Sequence, residues 1–401
     1  MKKISIIGQG YVGLTLAVAA SEYFQVIGFD NHKSKIDLLR NGISYIEDVS
    51  SSAIQEATLN GNYYPTYDIE DMEGSDVYVI CVPTPLNSDR QPDLTFVESA
   101  CRAINKTLTK RALIINESTS FPGTLRNFIK PIIEKNQITK CMFASAPERV
   151  DPGRQDYNIA NTPRLLAGID KESLDEAYKF YGKLCSNIIL VNSPEVAEMA
   201  KLFENTFRQV NIALVNELAI ISHALDVSVY DVLDAADTKP YGFMRFNPGP
   251  GVGGHCIPID PTYLAYSANI KGASARFIEL ANQVNLDMPK FIVKRCTQEI
   301  GSLKNKEVLI VGISYKSNIS DIRETPADAI YELLRESGAK VSWYDPLVDN
   351  WKANKILEGD LFQFDLTIVQ VLHNEMDLSF VRNASNLIFD CTGKITGAIH
   401  L

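Results

Sequence analysis

The chain has 401 residues, 45% of them hydrophobic and 22% charged, a soluble globular balance that excludes disorder and low-complexity architectures. That length exceeds one ordinary core and predicts two or three domains. A formal net charge of −10 argues against general nucleic-acid binding, and no uncharged apolar run is long enough to cross a bilayer, so neither nucleic acid nor membrane is expected as a partner.

Two lysines precede the first apolar run, as in a signal peptide. The run meets Gly8-Gln9-Gly10 almost at once and reads better as a first strand, Lys3 to Ile7. Gly8-Gln9-Gly10-Tyr11-Val12-Gly13 follows, then a helical pattern from Leu14, then a strand from Phe24 to Phe29 that ends on Asp30. Each part of this strand, G-x-G-x-x-G, helix, strand, acid series has a task in dinucleotide binding. Gly8 permits the tight turn, Gly10 admits the pyrophosphate, and Gly13 lets helix and strand pack closely. The helix amino terminus turns unpaired N–H groups to the phosphates. An acid at position 30 accepts from ribose hydroxyls and disfavours a 2′-phosphate, so NAD is expected rather than NADP. Lys35 could sit near the adenosine edge or be a plain surface lysine.

Three more apolar runs, 76–82, 112–117 and 141–145, read as strands, each with a polar residue past its carboxyl end: Thr84, Thr119 and Glu148. Ligands of open α/β sheets gather at those ends. Taken singly, each residue reads as well as a turn or cap. The segment 157–191 predicts a further helix and strand. Ser193-Pro194-Glu195 is a strong helix start. Val196, Met199, Phe203, Phe207, Val210, Leu214, Leu218 and Ile221 then recur at helical spacing to about Ala224. So long an apolar helix is expected to meet a partner subunit. Lys201 and Asn205, four apart, share one face of it.

A stiff glycine- and proline-rich loop, 248–261, presents Cys256, with Asp260 four residues on. The seven cysteines are odd in number and include no C-x-x-C pair, so neither a metal site nor a disulfide framework is expected, and a reduced cytoplasmic protein is. A helical pair around 275–283 and 289–300 follows. The α/β pattern then restarts with strands at 307–312, 341–345, 366–371 and 386–390 and a helix at 325–337. This second unit has only Gly312 after its first strand, so it is not expected to hold a dinucleotide in the same way. Its first loop carries Lys316, Asp321, Arg323 and Glu324 instead, either as phosphate ligands or as solvated charge. The fold class expected is α/β, two Rossmann-like doubly wound domains (1–192 and 304–401) joined by a helical domain (193–303) with a long central helix.

These pieces together resemble one family over the whole chain, the nucleotide-sugar 6-dehydrogenases related to UDP-glucose and GDP-mannose dehydrogenases. The resemblance rests on Gly8–Gly13 with Asp30, Val82-Pro83-Thr84-Pro85, Glu117-Ser118-Thr119, Ala146-Pro147-Glu148-Arg149, the run Glu198 to Asn205, the run Gly253 to Pro261, and Ser314-Tyr315-Lys316 with Asp321-Ile322-Arg323-Glu324. It implies oxidation of a sugar C6 alcohol to the acid with two NAD⁺. It implies Cys256 as the nucleophile that holds the aldehyde as a thiohemiacetal and then as a thioester, a role served by nearby positive charge. Lys201 and Asn205 are implied at the developing oxyanion, and Asp260, Thr119 and Glu148 at the attacking water. Gly8, Gly10, Tyr11, Val12, Gly13, Asp30, Lys35, Thr84, Thr119 and Arg323 are implied at the cofactor. Glu148, Arg149, Lys201, Asn205, Arg245, Gly253 and Lys316 are implied at the substrate. It also implies a homodimer formed through the central helix and a product used in surface polysaccharide.

Enzymes of this resemblance acting on UDP-glucose commonly carry G-G-x-C-x-P-K-D, whereas here His255 precedes the cysteine and Ile259 stands in place of the lysine. The run Gly253 to Pro258, with Arg245 to Gly251, is similar to the branch acting on UDP-N-acetylhexosamines. UDP-glucose is the alternative substrate. A single-step NAD hydroxyacid dehydrogenase and a non-catalytic NAD-binding protein are the alternatives of other classes; neither calls for the cysteine loop.

Overall fold

The computed structural model describes residues 2–150, 156–358 and 363–401. The chain forms two compact units, one running to Glu204 and one from Asn205 to Leu401. In the first, the strands are β1 Lys3–Ile7, β2 Gln25–Phe29, β3 Tyr63–Thr66, β4 Val77–Ile80, β5 Leu113–Asn116, β6 Met142–Ser145, β7 Arg164–Gly168 and β8 Ile188–Leu190. They lie in the order β3-β2-β1-β4-β5-β6-β7-β8. Pairing is parallel except between β6 and β7. Near-continuous apolar runs make these strands because a parallel sheet is covered on both faces. Ile4 and Ile6 enter one buried cluster, and Ile7, Tyr78 and Ile80 enter another.

The second unit repeats the plan. β9 Glu307–Val311, β10 Lys340–Tyr344, β11 Asn354–Lys355, β12 Leu366–Val369, β13 Ile388–Asp390 and β14 Ile399–His400 form an all-parallel sheet ordered β11-β10-β9-β12-β13-β14. Val215, Ala219, Met288 and Ile292, from helices within 205–303, share a core with Val308, Ile310 and Trp343 of this sheet. The expected α/β class with two doubly wound sheets is therefore present. In both sheets the strand order reverses beside the first strand, at β1/β4 and at β9/β12, the switch points outside whose carboxyl ends open α/β sheets bind ligands.

One helical expectation changes, and the other helix shows a feature that its spacing left open. The helix Pro194–Ala224 has the bounds the spacing predicts. The apolar stripe that defined it, however, points mainly outward: Phe203 is 60% and Leu214 61% exposed, and Val196, Met199, Phe207 and Ile221 are exposed too. The inward positions are mostly small or polar, with Ala197, Gln209, Ala213, Asn216 and Ala219 buried beside Leu202 and Val215. Amides join this helix to its neighbour: Asn216 Nδ2 donates to Asn285 Oδ1 at 2.9 Å, and Asn285 Nδ2 to the Gln209 carbonyl at 3.2 Å. The predicted helical pair at 275–283 and 289–300 is a single helix, Arg276–Ile300, with Pro289 inside it. Proline removes the N–H that would bond the carbonyl four residues back. That carbonyl, on Asn285, is where Gly251 of the cysteine loop packs; a Cβ there would come within 2.9 Å of it. Tertiary contact thus tolerates a residue that local rules read as a break.

Candidate active site

The loop after β1 is built by backbone constraint. Gly8 has φ +93°, and its N–H donates to the Phe29 carbonyl at 2.8 Å. A Cβ on Gly13 would lie 1.8 Å from the Gly8 carbonyl oxygen, so helix and strand meet at van der Waals limit. A Cβ on Gly10, by contrast, would meet nothing within 4 Å, which leaves open space at the amino terminus of the helix Tyr11–Ser21. That helix has no side-chain cap and no acid in its first turn, so the positive end of its dipole favours an anion there. Asp30 follows β2. Its Oδ2 accepts from the Gln9 N–H and its Oδ1 from the His32 N–H, each at 2.9 Å. Gln9 is anchored from below by Tyr63, whose hydroxyl donates to Oε1 at 2.7 Å, and by its own Nε2, which donates to the Ile6 carbonyl at 3.0 Å. Lys35 lies in the helix Lys33–Arg40 with its Nζ 5.7 Å from the Tyr45 ring centroid. Thr84 is buried beyond β4, and Thr119 is half-buried beyond β5.

Glu148, beyond β6, belongs to a buried charge cluster. Arg164 from β7 lies between two carboxylates, with Nη1 3.1 Å from Glu117 Oε1 and Nη2 hydrogen-bonded to Glu148 Oε2. Tyr181 donates to Glu117 Oε1 as well. Glu148 Oε1 also accepts the Arg149 and Val150 N–H groups at 2.6 and 2.7 Å. One guanidinium cannot neutralise two buried acids. Burial pushes the Glu117 carboxyl up to about 7, with Arg164 pulling against it and Glu148 adding to it. Burial acts on Glu148 too, but Arg164 and the two N–H donors outweigh it and hold Glu148 below the ordinary value. Glu148 is therefore a fixed anion, and Glu117 is the member that takes up a proton near neutrality. Arg149 pairs with Glu204, Nη2 to Oε1 at 2.7 Å, and donates from Nη1 to the Pro163 carbonyl at 2.8 Å.

Helix Pro194–Ala224 carries Glu198, Lys201 and Asn205 in successive turns. Glu198 is buried and grips the loop after β5. Its Oε2 accepts the Gly123 N–H at 2.7 Å and its Oε1 the Leu125 N–H at 2.9 Å. Burial raises this carboxyl to about 7 despite both hydrogen bonds. Lys201 is half-buried.

In the second unit, Asn205 Nδ2 donates to Asp260 Oδ2 at 2.6 Å, and both side chains are buried. Asp260 opens the helix Asp260–Ile270, and its N–H donates to the Cys256 carbonyl at 2.9 Å. Cys256 is the half-buried member of the seven cysteines; the other six are buried. The glycines before it are required by packing. A Cβ on Gly253 would lie 2.6 Å from Tyr315 Cβ and 2.8 Å from the Glu324 carbonyl, and one on Gly254 would strike the Tyr315 ring. The Gly254 N–H donates to the Arg323 carbonyl at 2.9 Å. The cysteine loop is thus seated on the loop that carries Lys316 and Arg323. Lys316 is half-buried. The Arg323 side chain forms a two-point pair with Asp321, Nε to Oδ1 at 3.0 Å and Nη2 to Oδ2 at 2.6 Å. Arg245 pairs with Asp234, Nη1 to Oδ1 at 2.5 Å.

Three family models match in series. The NAD-binding domain of the UDP-glucose/GDP-mannose dehydrogenase family matches residues 2–185, its central domain 195–287 and its UDP-binding domain 309–396. The chain belongs to the UDP-glucose/GDP-mannose dehydrogenase family. It is 36% identical, over 87% of its length and 81% of the relative's, to a UDP-N-acetyl-D-mannosamine dehydrogenase of Methanococcus maripaludis. It is 34% identical, over 86% and 83%, to a UDP-N-acetyl-D-glucosamine 6-dehydrogenase of Pseudomonas aeruginosa. The solved structure of a UDP-D-ManNAc dehydrogenase from Pyrococcus horikoshii superposes with a TM-score of 0.89 at 30% identity, covering 99% of this chain and 98% of that one. The protein is an NAD-dependent nucleotide-sugar dehydrogenase. The residues of the first unit fit the dinucleotide: the open space at Gly10 and the uncapped helix end suit a pyrophosphate, and Asp30 has lone pairs left for a ribose. Among the described residues, no helix is long and apolar enough to cross a membrane.

Sequence reasoning missed Arg164 and Tyr181. Nothing near Arg164 in the chain marks it, because its partners come from other strands' ends. Glu117 and Glu198 were visible within motifs but carried no assigned task.

Proposed function

We propose that the substrate is a UDP-N-acetylhexosamine, oxidised at C6 to the uronic acid in two steps. The names of the similar proteins and the run Gly253 to Pro258 support the N-acetylated sugar. The observation that carries the chemistry is the Asn205–Asp260 hydrogen bond beside the Cys256 backbone, which ties the long helix, an acid and the only half-buried thiol of the seven into one arrangement. NAD⁺, when bound by the glycine loop and Asp30, supplies the hydride acceptor for both oxidations. Cys256 adds through sulfur to the C6 aldehyde, forming a C–S bond and an oxyanion that becomes the thiohemiacetal hydroxyl; loss of the C6 hydride and the hydroxyl proton leaves a thioester. Water then adds to the thioester carbon, the C–S bond breaks, and the thiol is regenerated with the acid product. Asn205 is assigned to donate to the oxyanion and to orient Asp260, which removes a proton from water. Lys201, Thr119 and Glu148 keep the roles that the resemblance implies; a Glu148 fixed as an anion suits an acceptor that orients water rather than an acid.

Stoichiometry tests the reading. The protein is given NAD⁺ with UDP-N-acetylmannosamine, UDP-N-acetylglucosamine, UDP-N-acetylgalactosamine, UDP-glucose or GDP-mannose, and NADH is counted per sugar consumed. Two NADH and an acid from an N-acetylated sugar are expected, and Cys256→Ala is expected to abolish acid formation. One NADH with a carbonyl product refutes the cysteine mechanism, and turnover of UDP-glucose alone refutes the sugar. We also infer a cytoplasmic homodimer serving polysaccharide synthesis, with the exposed stripe of Phe203, Phe207 and Leu214 at its interface. Light scattering is expected to give twice the chain mass, falling to one for Phe203→Asp.

A further inference from the structure

The two sheets repeat one another down to single hydrogen bonds, and the place where the repeat departs carries a function. In the first unit, the Gly8 N–H donates to the Phe29 carbonyl at 2.8 Å, and Asp30 receives the Gln9 N–H on one oxygen and the His32 N–H on the other. In the second, the Gly312 N–H donates to the Tyr344 carbonyl at 2.9 Å. Asp345 receives the Ile313 N–H at 2.7 Å on one oxygen and the Leu347 N–H at 2.9 Å on the other. Gly8 and Gly312 share a positive φ, +93° and +79°. The registers Ile7↔Ile80 and Val311↔Val369 make Thr84 and His373 counterparts, each four residues beyond its strand.

There the chemistry diverges. His373 Nε2 lies 3.0 Å from Asp345 Oδ2, and both side chains are fully buried. His373 Nδ1 accepts the Asn318 N–H at 2.7 Å. A backbone N–H needs a lone pair, so Nδ1 is unprotonated and the ring proton is on Nε2, facing Asp345. The same Nε2 is 3.3 Å from Ser314 Oγ, whose own proton goes to the Lys316 carbonyl at 2.9 Å. Asn318, at φ +63°, is gripped again when its Oδ1 accepts the Asn374 N–H at 2.8 Å. The imidazole therefore holds one end of the short loop 314–318 directly at Asn318 and the other through Asp345, whose Oδ2 also accepts the Ser314 N–H at 3.2 Å, and Lys316 is at its middle. The acid that would meet a ribose in a dinucleotide fold is sealed beneath this ring and spent on holding the loop.

We propose that His373 is a positioning residue for nucleotide binding: through Asp345, Ser314 and Asn318 it presents Lys316 to the diphosphate of the UDP-sugar. The proposal rests on Lys316 being a phosphate ligand. The test is calorimetric titration of UDP into the full-length enzyme carrying His373→Ala, His373→Asn, Lys316→Ala or both alanines. His373→Ala is expected to weaken UDP about tenfold, the scale of one or two ordinary hydrogen bonds, with NAD⁺ affinity unchanged. Asn retains an acceptor near the Nδ1 position and is expected to recover part of the loss, which a general packing defect would not show. Because His373 acts through Lys316, the double alanine variant is expected to bind within about twofold of Lys316→Ala alone. If Lys316→Ala leaves UDP binding unchanged, the underlying reading fails and the proposal with it. If Lys316→Ala weakens UDP while His373→Ala does not, or if the two losses add in full, the positioning role is refuted and the reading of Lys316 stands.

Discussion

Glu198 offers the sharpest test, because its burial and its hydrogen bonds pull in opposite directions. Its two oxygens take the Gly123 and Leu125 N–H groups at 2.7 and 2.9 Å, in a residue only 2% exposed. Replacement by glutamine keeps the shape but turns an amide NH₂ against one of those N–H donors. One buried donor left without an acceptor costs about 1–3 kcal/mol. Charge adds a pH dependence of opposite sense. The folded-state carboxyl, raised first by burial and further by Glu195, stands at about 7 against an ordinary 4.5. A folded pKa above the unfolded one means a contribution fully present below about 4.5 that is lost as pH rises through 7. At about 1.36 kcal/mol per unit, that amounts to about 3 kcal/mol of wild-type stability lost by pH 8. The glutamine amide cannot titrate, so the stability gap between wild type and Glu198→Gln should be largest at pH 5 and shrink, or reverse, by pH 8. Urea unfolding followed by circular dichroism measures the gap. Trp343 and Trp351 are the chain's two tryptophans and both belong to the second unit, so their fluorescence reports that unit separately. Subtracting the variant also removes Glu117, which titrates in the same window. A gap constant from pH 5 to 8, or no gap at pH 5, would refute the reasoning.

Two glycines a few residues apart should respond in opposite ways. Gly13→Ala puts a methyl 1.8 Å from the Gly8 carbonyl and is expected to cost about 3 kcal/mol of stability as well as NAD⁺ binding. Gly10→Ala meets nothing in the protein and is expected to leave thermal unfolding within about 0.5 kcal/mol of wild type while weakening NAD⁺ at least tenfold; unchanged NAD⁺ affinity would remove the pyrophosphate from that space. Asp30→Ser should raise the Kd for NADH and narrow the preference over NADPH, measured by fluorescence titration of both reduced cofactors. An unaltered preference would move the ribose elsewhere.

The sequence alone carried whatever a few neighbouring residues decide. Gly8, Gly10 and Gly13 announce a turn and a close helix–strand approach because backbone conformation is local, and Asp30 is found by counting to the end of the next apolar strand. The helix start at Ser193-Pro194 is legible for the same reason, and the Cys256 loop stands out by composition. Periodicity found the helix 194–224 but not its orientation: an apolar stripe reads alike whether it faces a core or the outside, and only the packing of Gln209, Ala213 and Asn216 decides. Pro289 was misread as a break because local rules see only its missing N–H, not that the Asn285 carbonyl packs against Gly251 of the cysteine loop, distant in the chain. The charge clusters lay wholly beyond reach. Arg164 means nothing until β7 brings it between Glu117 and Glu148, and Asp345 looks like any strand-ending acid until His373 closes over it. Buried ions and imidazoles draw their protonation and their tasks from partners that only tertiary structure delivers, since desolvation and pairing depend on distance in space rather than on spacing in sequence.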